Sequence, residues 1–571
     1  MDFKEIVQLW ENELPKESKL YEELIALKED EDALFEAFAQ SLAFGTAGMR
    51  GVMGPGINRM NTHTVRLATY GLAQVIKHLG KEAMDKGVVI AYDSRHNSQT
   101  FAYEASRVLI AAGIRAYMFS SLRPTPELSF AVRHLGTAAG IMITASHNPP
   151  KYNGYKCYGE DGGQMPPEQA NEVIRHMEAV DELFAIPVVT QEELLASDRF
   201  ALIDEAVDEA YLAQVDHVPV NRSIIEEAKD LKIVYTPLHG TGQYLMEKVF
   251  ERAGFQSIEY VPNQKEPDAN FSTIQSPNPE DGEAFIEAEK IGMAHQADLL
   301  VATDPDADRM GCAIYTPSGY QVLTGNQIAA VLLDYLLNAK KERNELPTNG
   351  AVIKSIVSGE LATQVAADYG VEMMNVLTGF KYIAEKIEQF EQSGSHQFLF
   401  GFEESYGYLV QSFVRDKDAL QATVLLAEVA AYQASQGKTL LDALNDLYAR
   451  YGFFLEKTIS TMFEGAAGPD KMAALMQQFR DEPLTSIAGE AVAVSYDYLS
   501  QERHENGVVS AIDLPSSNVL KYHLENGDWF ALRPSGTEPK MKCYIGVSAT
   551  DKASAEQKIA AYETELTQYF K

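Results

Sequence analysis

The sequence predicts an α/β protein of several domains that ends in an α+β domain. The chain has 571 residues, and a single hydrophobic core rarely serves more than about 250–300 residues. Short apolar runs alternate with helical patterns over most of its length, which is typical of parallel α/β sheets. The C-terminal part instead carries closely spaced strand patterns. We place the boundaries near residues 205, 318 and 455, which gives domains 1–205, 206–318, 319–455 and 456–571.

Several predicted strands of the α/β part run directly into polar loops. Residues 64–79 carry apolar side chains at helical spacing, and the following GVVIAYDSR is typical of a strand that ends in a loop. Four predicted strands end in unusual polar sequences, at residues 144–156, 303–309, 401–408 and 533–542. Ligands of open α/β sheets bind beyond the carboxyl ends of the strands. We therefore expect these four loops to line one cleft.

The C-terminal domain has a different pattern. Its strand candidates follow one another at short intervals between residues 490 and 550, and Asn526-Gly527 marks a hairpin turn. A helical pattern over residues 551–570 closes the chain. These features predict the α+β domain.

Composition and charge narrow the choice of function. Hydrophobic residues make up 46% and charged residues 23% of the chain, as in an ordinary soluble globular protein. The formal charge is 48 minus 82, or −34, which argues against nucleic acid or an anionic membrane as a partner. An anionic substrate would therefore require a local basic pocket.

Cysteine usage and the N-terminus indicate a cytoplasmic protein. Cys157, Cys312 and Cys543 are too few and too far apart for a disulfide framework or a zinc site. The first residues lack the basic start and the apolar run of a signal peptide. No uninterrupted apolar run reaches the length that spans a membrane.

The motif TDPDADR, residues 303–309, is the strongest indication of a metal-binding site in the sequence. Asp304, Asp306 and Asp308 alternate, so an extended loop would point all three carboxylates in one direction. Clustered carboxylates repel one another unless a cation joins them, and such hard oxygen ligands suit Mg²⁺ or Ca²⁺. An EF-hand would need glycine and glutamate where Arg309 and Tyr315 stand, so that alternative fails. A solvated acidic turn is the other interpretation.

The motif RPSGTEPKMK, residues 533–542, is typical of an anion-binding loop. Arg533 can hold a phosphate through two parallel hydrogen bonds. Ser535 and Thr537 add hydroxyl groups, and Gly536 lets backbone N–H groups approach an anion. The motif is not a Walker loop, because the Gly-Lys-Thr sequence of this chain lacks the required upstream glycine. The structural alternative is an ordinary turn with a surface arginine.

Two further loops carry charged candidates. In GFEESYGY, residues 401–408, Glu403 and Glu404 stand beside Ser405, and carboxylates at a strand end can accept hydrogen bonds from sugar hydroxyls. Adjacent glutamates cannot be the opposed pair of a glycosidase. In FGTAGMRG, residues 44–51, three glycines can bring Arg50 toward an anion. That loop follows a helical pattern rather than a strand, so it is not a dinucleotide fingerprint. A solvated turn is the alternative for both.

The stretch TASHNPPKYNGYK, residues 144–156, places Ser146 beside His147. Adjacent side chains seldom meet in the geometry of a serine and its base, and no nucleophile elbow surrounds Ser146, so we disfavour a hydrolase triad. Phosphoryl transfer at the serine oxygen fits better with a cation site and a phosphate loop, because it needs positioning and charge neutralisation more than a strong base. A serine that caps a turn before Pro149 is the structural alternative.

Taken together and in order, these loops resemble the α-D-phosphohexomutase family, which includes phosphoglucomutases and phosphomannomutases. TASHNP resembles the family's phosphoserine loop, DPDADR its magnesium loop, GFEES its sugar-recognition loop and RPSGTEPK its phosphate-binding loop. The resemblance covers nearly the whole chain. It implies an intramolecular phosphotransferase of the isomerase class, with four domains around a central cleft: three similar α/β mixed-sheet domains and a smaller C-terminal α+β domain.

The resemblance also implies a mechanism. A phosphorylated Ser146 would donate its phosphoryl group to a sugar monophosphate, glucose 1,6-bisphosphate would turn over in the cleft, and the other phosphate would return to Ser146. One Mg²⁺ per chain would be held by Ser146, Asp304, Asp306 and Asp308. Lys156 would act as the acid/base group, with His147 and Arg50 in support. Substrate would be bound by Arg309, Lys381, Glu403, Ser405, Arg533, Ser535, Gly536 and Thr537.

The sugar loop departs from the form found in many members of that family, in which glycine and histidine directly follow the serine. Here Tyr406 intervenes, and this form resembles the branch with bacterial α-phosphoglucomutases and phosphopentomutase-like relatives. We favour glucose 1-phosphate and glucose 6-phosphate as substrates, with phosphomannomutase or phosphopentomutase activity as the alternative. A phosphatase that uses the same serine and a non-catalytic sugar-phosphate sensor are alternatives from other classes. We expect a monomer or a weak homodimer.

Overall fold

The structure is a computed structural model that describes residues 2–45, 48–463, 468–535 and 540–570. It contains four sheets, and we call each sheet with its helices a unit. The first unit begins with three short helices, which start behind the capping side chains of Asp2, Ser18 and Asp30. Its helices are α1 (Phe3–Glu13), α2 (Lys19–Leu27), α3 (Glu31–Phe38), α4 (Thr62–Leu79), α5 (Lys81–Lys86), α6 (Ser98–Ala111), α7 (Thr125–Leu135), α8 (Pro167–Glu178) and α9 (Gln191–Ala196). Its strands are β1 (Phe44–Gly45), β2 (Gly48–Val52), β3 (Val88–Tyr92), β4 (Ala116–Phe119), β5 (Ala139–Ile143), β6 (Tyr152–Gly159) and β7 (Phe200–Ile203).

The second and third units follow in the chain with smaller sheets. The second unit has helices α10 (Glu205–Val215), α11 (Arg222–Glu227), α12 (Gly242–Ala253), α13 (Pro262–Lys265) and α14 (Ile286–His295), and strands β8 (Lys232–Thr236), β9 (Ser257–Tyr260), β10 (Leu299–Thr303), β11 (Met310–Thr316) and β12 (Gly319–Val322). The third unit has helices α15 (Gly325–Glu342), α16 (Leu361–Asp368), α17 (Phe380–Ser393), α18 (Ala419–Ser435) and α19 (Leu440–Tyr451), and strands β13 (Gly350–Ser355), β14 (Glu372–Val376), β15 (Gln397–Glu403) and β16 (Gly407–Leu409).

The three α/β sheets share one strand arrangement. The order β6-β5-β3-β4 in the first sheet recurs as β11-β10-β8-β9 in the second and as β16-β15-β13-β14 in the third. In each set the last three strands are parallel, and the first strand pairs antiparallel with its neighbour. The prediction of similar mixed-sheet α/β domains is therefore confirmed.

This repeat places three candidate loops at equivalent points. The antiparallel neighbours β5–β6, β10–β11 and β15–β16 are consecutive in the chain, so each pair is joined by a turn. We call these connections the Ser146 turn (residues 144–151), the aspartate turn (residues 304–309) and the glutamate turn (residues 404–406). Each turn follows a buried parallel strand, where ligands of α/β sheets bind.

The fourth unit is an antiparallel sheet with two helices. Its elements are β17 (Phe453–Met462), α20 (Gly468–Asp481), β18 (Ser486–Ile487), β19 (Glu490–Asp497), β20 (Glu502–Glu505), β21 (Val508–Ala511), β22 (Leu520–Leu524), β23 (Trp529–Pro534), β24 (Lys540–Ala549) and α21 (Lys552–Leu566). The predicted hairpin at Asn526-Gly527 joins β22 to β23, with Gly527 at φ +86°. Glycine suits this position because it adopts a positive φ without steric cost. The predicted α+β domain is confirmed, whereas the boundary residues between domains stay a prediction.

An apolar cluster joins the third and fourth units. It comprises Ile356, Val357, Leu377, Tyr498, Val519, Trp529, Ala531 and Tyr544. Lys521 of β22 crosses the same interface, and its Nζ donates to the carbonyl oxygen of Ile356 at 2.7 Å. Among the described residues, no helix combines the length and the apolar character that a membrane crossing requires.

Candidate active site

The Ser146 turn meets the aspartate turn between the first and second units. Ser146 is 3% exposed, and its Oγ donates to Asp304 Oδ2 at 2.8 Å. A nearly buried hydroxyl thus lies against a buried carboxylate from another sheet. The two strongest sequence candidates, which are 158 residues apart, form one centre.

The backbone of the Ser146 turn is held by hydrogen bonds from within the first unit. Ser146 has φ +52°, in the left-handed region, and its N–H donates to Thr144 Oγ1 at 2.8 Å. Arg95 Nη2 donates to the Ser146 carbonyl oxygen at 2.6 Å, and Arg95 also lies 3.2 Å from Asp93. The same guanidinium donates to the carbonyl oxygens of Asn148, Pro149 and Tyr152. Arg95 was not a sequence candidate, although it stands in the polar loop that follows β3.

His147 lies closer to the serine than the sequence predicted. Ser146 Oγ and His147 Nδ1 are 3.2 Å apart, so the expectation that these adjacent side chains would not meet is wrong. The left-handed backbone at Ser146 departs from the strand geometry in which successive side chains point apart. Burial lowers the pKa of His147 well below its usual range, and Arg309 and Arg50 lower this pKa further. The ring is therefore neutral at neutral pH.

The aspartate turn is compact rather than extended. Ala307 has φ +52°, and its N–H donates to the Asp304 carbonyl oxygen at 2.9 Å. The side-chain oxygen Oδ1 of Asp304 accepts from the backbone N–H groups of Asp308 and Arg309. The predicted extended loop is wrong because the Asp304 carboxylate closes a turn on itself. The carboxylates nevertheless converge, since Asp304, Asp306 and Asp308 each offer an oxygen within 4.8 Å of the others.

The chemistry of this cluster fits a hard divalent cation. All three aspartates are buried, and burial together with Asp306 and Asp308 raises the pKa of Asp304 well above its usual value. Asp306 Oδ1 and Asp308 Oδ1 are buried, and neither accepts a hydrogen bond from the described residues. Buried carboxylate oxygens without partners are costly, and oxygen ligands are those that Mg²⁺ prefers.

Two lysines partly balance these carboxylates. Lys156 Nζ lies 2.9 Å from Asp306 Oδ2 and 3.5 Å from Asp308 Oδ2. Lys417 Nζ lies 3.1 Å from both Asp308 Oδ2 and Asp416 Oδ1. Burial opposes the charge on each ammonium group, but the carboxylates raise the pKa of Lys156 and of Lys417 above the usual value.

Lys417 was not a sequence candidate. It belongs to RDKD, residues 415–418, which are four charged residues that are each at most 7% exposed. Four consecutive charged residues in front of the apolar helix α18 were the available signal, because such residues are almost never fully buried unless they are paired. The neighbour Asp416 accepts from Tyr158 Oη at 2.8 Å, so the segment joins the third unit to the first.

Two of the three predicted arginines, Arg309 and Arg50, occupy different surroundings. Arg309 is half-buried at the end of the aspartate turn, with Nη1 2.7 Å from Glu280 Oε1 and Nε 3.9 Å from Asp308 Oδ1. The backbone of Arg309 forms an isolated antiparallel β-bridge with Gly407, next to the glutamate turn. Arg50 is exposed on β2, and its Nη1 donates to Asn148 Oδ1 at 2.7 Å. Arg50 thus reaches the Ser146 turn but not, by any of these contacts, the aspartates.

Glu403, the last residue of β15, and Glu404, the first residue of the glutamate turn, have different partners. Glu403 Oε1 accepts from the Gly379 N–H at 2.7 Å, and burial and Glu404 raise the pKa of Glu403. Glu404 accepts from Ser355 Oγ at 2.9 Å and from Ser358 Oγ at 3.3 Å. The hydroxyl-bearing Ser405 follows, half-buried, at the tip of the turn.

Lys381 lies in the first turn of α17, two residues after Gly379. Burial lowers the pKa of Lys381 to about 8. Its Nζ is buried without a hydrogen-bond acceptor among the described residues, and it lies 4.9 Å from the centre of the Tyr382 ring. This ammonium group is therefore suited to an acceptor beyond those that the described residues supply.

The candidate phosphate loop connects β23 to β24. Arg533 of β23 stands opposite Lys542 of β24 in the antiparallel ladder. The Ser535 N–H donates to the Lys540 carbonyl oxygen at 2.7 Å. Gly536 and Thr537 lie outside the described residues. Burial lowers the pKa of Lys542, while Glu404 and Glu280 oppose that shift.

Models of one protein family match four consecutive parts of the chain. Phosphoglucomutase/phosphomannomutase α/β/α domain I matches residues 41–184, domain II residues 209–316 and domain III residues 324–451. The C-terminal domain of the same family matches residues 487–563. The order of the matches is that of the four sheets.

Curated relatives match over nearly the whole length. A phosphoglucomutase of Staphylococcus haemolyticus is 40% identical over 532 residues, which cover 92% of this chain and 94% of the relative. A phosphoglucomutase of Staphylococcus saprophyticus is 37% identical over 539 residues, which cover 94% of this chain and 95% of the relative.

Solved structures share the fold at lower identity. A phosphoglucomutase of Paramecium, the exocytosis-sensitive phosphoprotein parafusin in its open form, has a TM-score of 0.69 at 18% identity, covering 93% of this chain and 96% of its own. A putative phosphomannomutase of Thermus thermophilus has a TM-score of 0.68 at 20% identity, covering 93% of this chain and 99% of its own. The chain belongs to the phosphoglucomutase/phosphomannomutase family of α-D-phosphohexomutases, and it is an intramolecular phosphotransferase of the isomerase class.

Proposed function

We propose that the protein is a phosphoglucomutase that interconverts α-D-glucose 1-phosphate and glucose 6-phosphate through a phosphoserine at Ser146. The observation that carries the mechanism is the 2.8 Å contact between Ser146 Oγ and the buried aspartate cluster. A phosphoryl group on that oxygen would lie beside three carboxylates, so the arrangement requires compensating positive charge. The relatives at 37–40% identity that are named phosphoglucomutase support glucose as the sugar.

Asp304, Asp306, Asp308 and an oxygen of the phosphorylated Ser146 would hold one Mg²⁺. When bound, this ion neutralises the charge that grows on the phosphoryl oxygens as the group transfers. Lys156 and Lys417 lie against the same carboxylates and keep the remaining negative charge paired. Buried charges are tolerated only when they are paired in this way.

The proposed reaction has two transfers. In the first, a sugar hydroxyl oxygen forms a bond to the phosphorus as the bond to Ser146 Oγ breaks. The ammonium form of the acid/base group donates a proton to the released Ser146 Oγ and takes up the proton of the sugar hydroxyl in return. Glucose 1,6-bisphosphate results, and it turns over within the cleft. In the second, Ser146 Oγ forms a bond to the other phosphorus as the bond from that phosphorus to its sugar oxygen breaks, and the serine proton passes by way of the same group to the released sugar oxygen. The enzyme ends as it began, with a phosphorylated serine.

The remaining candidates position groups around this exchange. We assign the acid/base role to Lys156, with His147 3.2 Å from Ser146 Oγ and Arg50 on the same turn in support. Glu403 is oriented by the Gly379 N–H and would accept hydrogen bonds from sugar hydroxyls, together with Ser405. The buried ammonium group of Lys381 would bind substrate oxygens from the third unit. Arg309 from the second unit, and Arg533, Ser535, Gly536 and Thr537 from the fourth, would bind phosphate.

We further propose that the enzyme works in the cytoplasm as a monomer or a weak homodimer. A net charge of −34 disfavours close association of copies except through a specific contact. Sedimentation at low and high salt tests this proposal, because screening of charge repulsion would strengthen a weak dimer.

The sugar is tested by a coupled assay with the 1-phosphates of glucose, mannose, ribose and N-acetylglucosamine, each with a trace of the matching bisphosphate. We expect the highest kcat/KM with glucose 1-phosphate. Preference for the mannose or ribose compound would overturn the sugar assignment and leave the mutase mechanism intact. Release of inorganic phosphate without isomerisation would instead identify a phosphatase.

A further inference from the structure

The motif PTPELSF, residues 124–130, has no role in the site described so far, yet its threonine contacts the metal cluster. The Thr125 N–H donates to the Asp306 carbonyl oxygen at 2.9 Å, and Thr125 Oγ1 donates to Asp306 Oδ2 at 2.9 Å. Thr125 is fully buried. It lies within the part of the chain that matches family domain I, whereas Asp306 lies within the part that matches domain II.

These contacts fix one oxygen of the Asp306 carboxylate, whereas the other has no hydrogen-bond donor among the residues that the structure describes. Asp306 Oδ2 accepts from Thr125 Oγ1 and from Lys156 Nζ, both at 2.9 Å. Asp306 Oδ1 is buried and accepts nothing from the described residues. A carboxylate held by two donors on one oxygen has a defined orientation, and its second oxygen remains available to a cation.

The position of Thr125 is itself set outside the site. The Arg123 N–H donates to the Tyr92 carbonyl oxygen at 3.1 Å, at the end of β3. Its guanidinium donates to both carboxylate oxygens of Asp208, at 2.8 and 3.0 Å. Pro124 then precedes the first turn of α7, where the Thr125 N–H needs an acceptor outside the helix. The Asp306 carbonyl oxygen supplies that acceptor.

We propose that Thr125 is a positioning residue for the divalent cation, which orients Asp306 so that Oδ1 faces the ion. The unit that carries Ser146 thereby also shapes the metal site of the second unit. Hydrogen bonds that orient a metal ligand typically change metal affinity by about 10–100-fold when they are lost. The inference rests on the proposed magnesium role of the aspartates and is independent of which sugar the enzyme uses.

The test compares Thr125→Val, which keeps the side-chain shape and the backbone N–H but removes the hydroxyl, with Thr125→Ser, which keeps the hydroxyl. Thr137→Val is the matched control, because Thr137 is buried just beyond the other end of α7 and bonds only locally, to Ala139. Mg²⁺ binding to each full-length protein is measured by calorimetry without substrate. Circular dichroism and Tm report on folding.

We expect Thr125→Val to bind Mg²⁺ about 10-fold more weakly than wild type, with Thr125→Ser and Thr137→Val close to wild type. We also expect the kcat of Thr125→Val to recover at saturating Mg²⁺, a recovery that a general loss of structure would not show. Thr125→Ala repeats the comparison if the valine variant does not fold.

Equal Mg²⁺ affinity in Thr125→Val and wild type would overturn the inference, as would equal losses in Thr125→Val and Thr125→Ser. Failure of the wild-type protein itself to bind Mg²⁺ would overturn the metal role in the proposed function. The two failures are therefore distinguishable.

Discussion

The Ser146 turn and the loop after Arg533 are both expected to hold a phosphate, yet their surroundings differ. Ser146 is 3% exposed and lies against Asp304 of the second unit, and the same aspartate cluster contacts Lys417 of the third unit. Arg533 is half-buried on a hairpin of the fourth unit, and its cross-strand partner is another cation, Lys542. One region has its charges paired across three units, and the other sets two cations opposite each other on neighbouring strands.

This difference fits two different tasks. A group that transfers needs fixed charges in place before the reaction, because electrostatic preorganisation supplies most of the stabilisation of a transition state. A phosphate that is only held, and later released, needs a cationic surface that water and substrate can reach. We therefore expect changes at the first region to lower turnover and changes at the second to weaken binding.

The largest effect is expected from Ser146→Ala. It removes the oxygen that carries the phosphoryl group, so kcat should fall by about 10⁶-fold, the order of magnitude seen when a catalytic nucleophile is lost. Coupled turnover of glucose 1-phosphate and mass spectrometry of the intact protein measure activity and serine phosphorylation. Ser435→Ala, at the exposed end of α18, is the control, and substantial mutase activity in Ser146→Ala would remove Ser146 from the mechanism.

A smaller loss is expected from Asp306→Asn. The change removes one negative charge from the cluster and leaves the backbone of the turn unchanged. Turnover should therefore fall by about 10²–10³-fold, and a higher Mg²⁺ concentration should be needed for half-maximal activity. Activity as a function of Mg²⁺ concentration measures both. Asp298→Asn, at the other end of β10, is the matched control. An unchanged magnesium response in Asp306→Asn would count against the aspartate turn as the metal site.

At the second region, Arg533→Ala should chiefly raise KM. A charge-assisted hydrogen bond contributes about 1.5–3 kcal/mol, which corresponds to a rise in KM of about 10–100-fold, with kcat changed little. Steady-state kinetics separate the two constants, and Arg503→Ala on the exposed β20 is the control. If KM stayed constant while Tm fell, Arg533 would have a structural role only.

The smallest effect on turnover is expected from Lys521→Met, which tests the interface behind the second region. Burial lowers the pKa of Lys521 to about 7, whereas an unfolded lysine keeps its proton to about pH 10.4. Between these values the unfolded chain binds more protons, so wild-type stability should rise with pH relative to the methionine variant. Thermal unfolding at pH 7 and pH 9.5 measures the difference in Tm, with Lys457→Met as the exposed control. A Tm difference that does not change with pH would refute this.

The sequence predicted the fold and pointed to the loops that bring Ser146 and Asp304 into contact, because both depend on local patterns. Ser146 and the aspartates stand in contiguous loops at the ends of apolar strands, and strand ends can be read from hydropathy. The shape of the aspartate turn could not be read in this way, because it depends on the Asp304 side chain accepting from backbone N–H groups. The alternation of aspartates in DPDADR does not show whether a side chain will accept hydrogen bonds from the backbone of its own turn.

Lys417 and Thr125 could not be assigned for a different reason. Thr125 and Asp306 are 181 residues apart, and their contact exists only because two separate units pack together. Lys417 reaches Asp308 from the third unit in the same manner. A single sequence identifies residue types that suit a site, but it does not show which distant segments meet there.

The repeated strand order has a mechanical consequence. Each of the Ser146, aspartate and glutamate turns joins two neighbouring strands that are hydrogen-bonded to each other, so both ends of each turn are fixed to its sheet. Sites built on strands hold their groups more precisely than sites on long loops. Each turn is therefore held by its own sheet, and we expect the distances between the three turns to change mainly when whole sheets rotate.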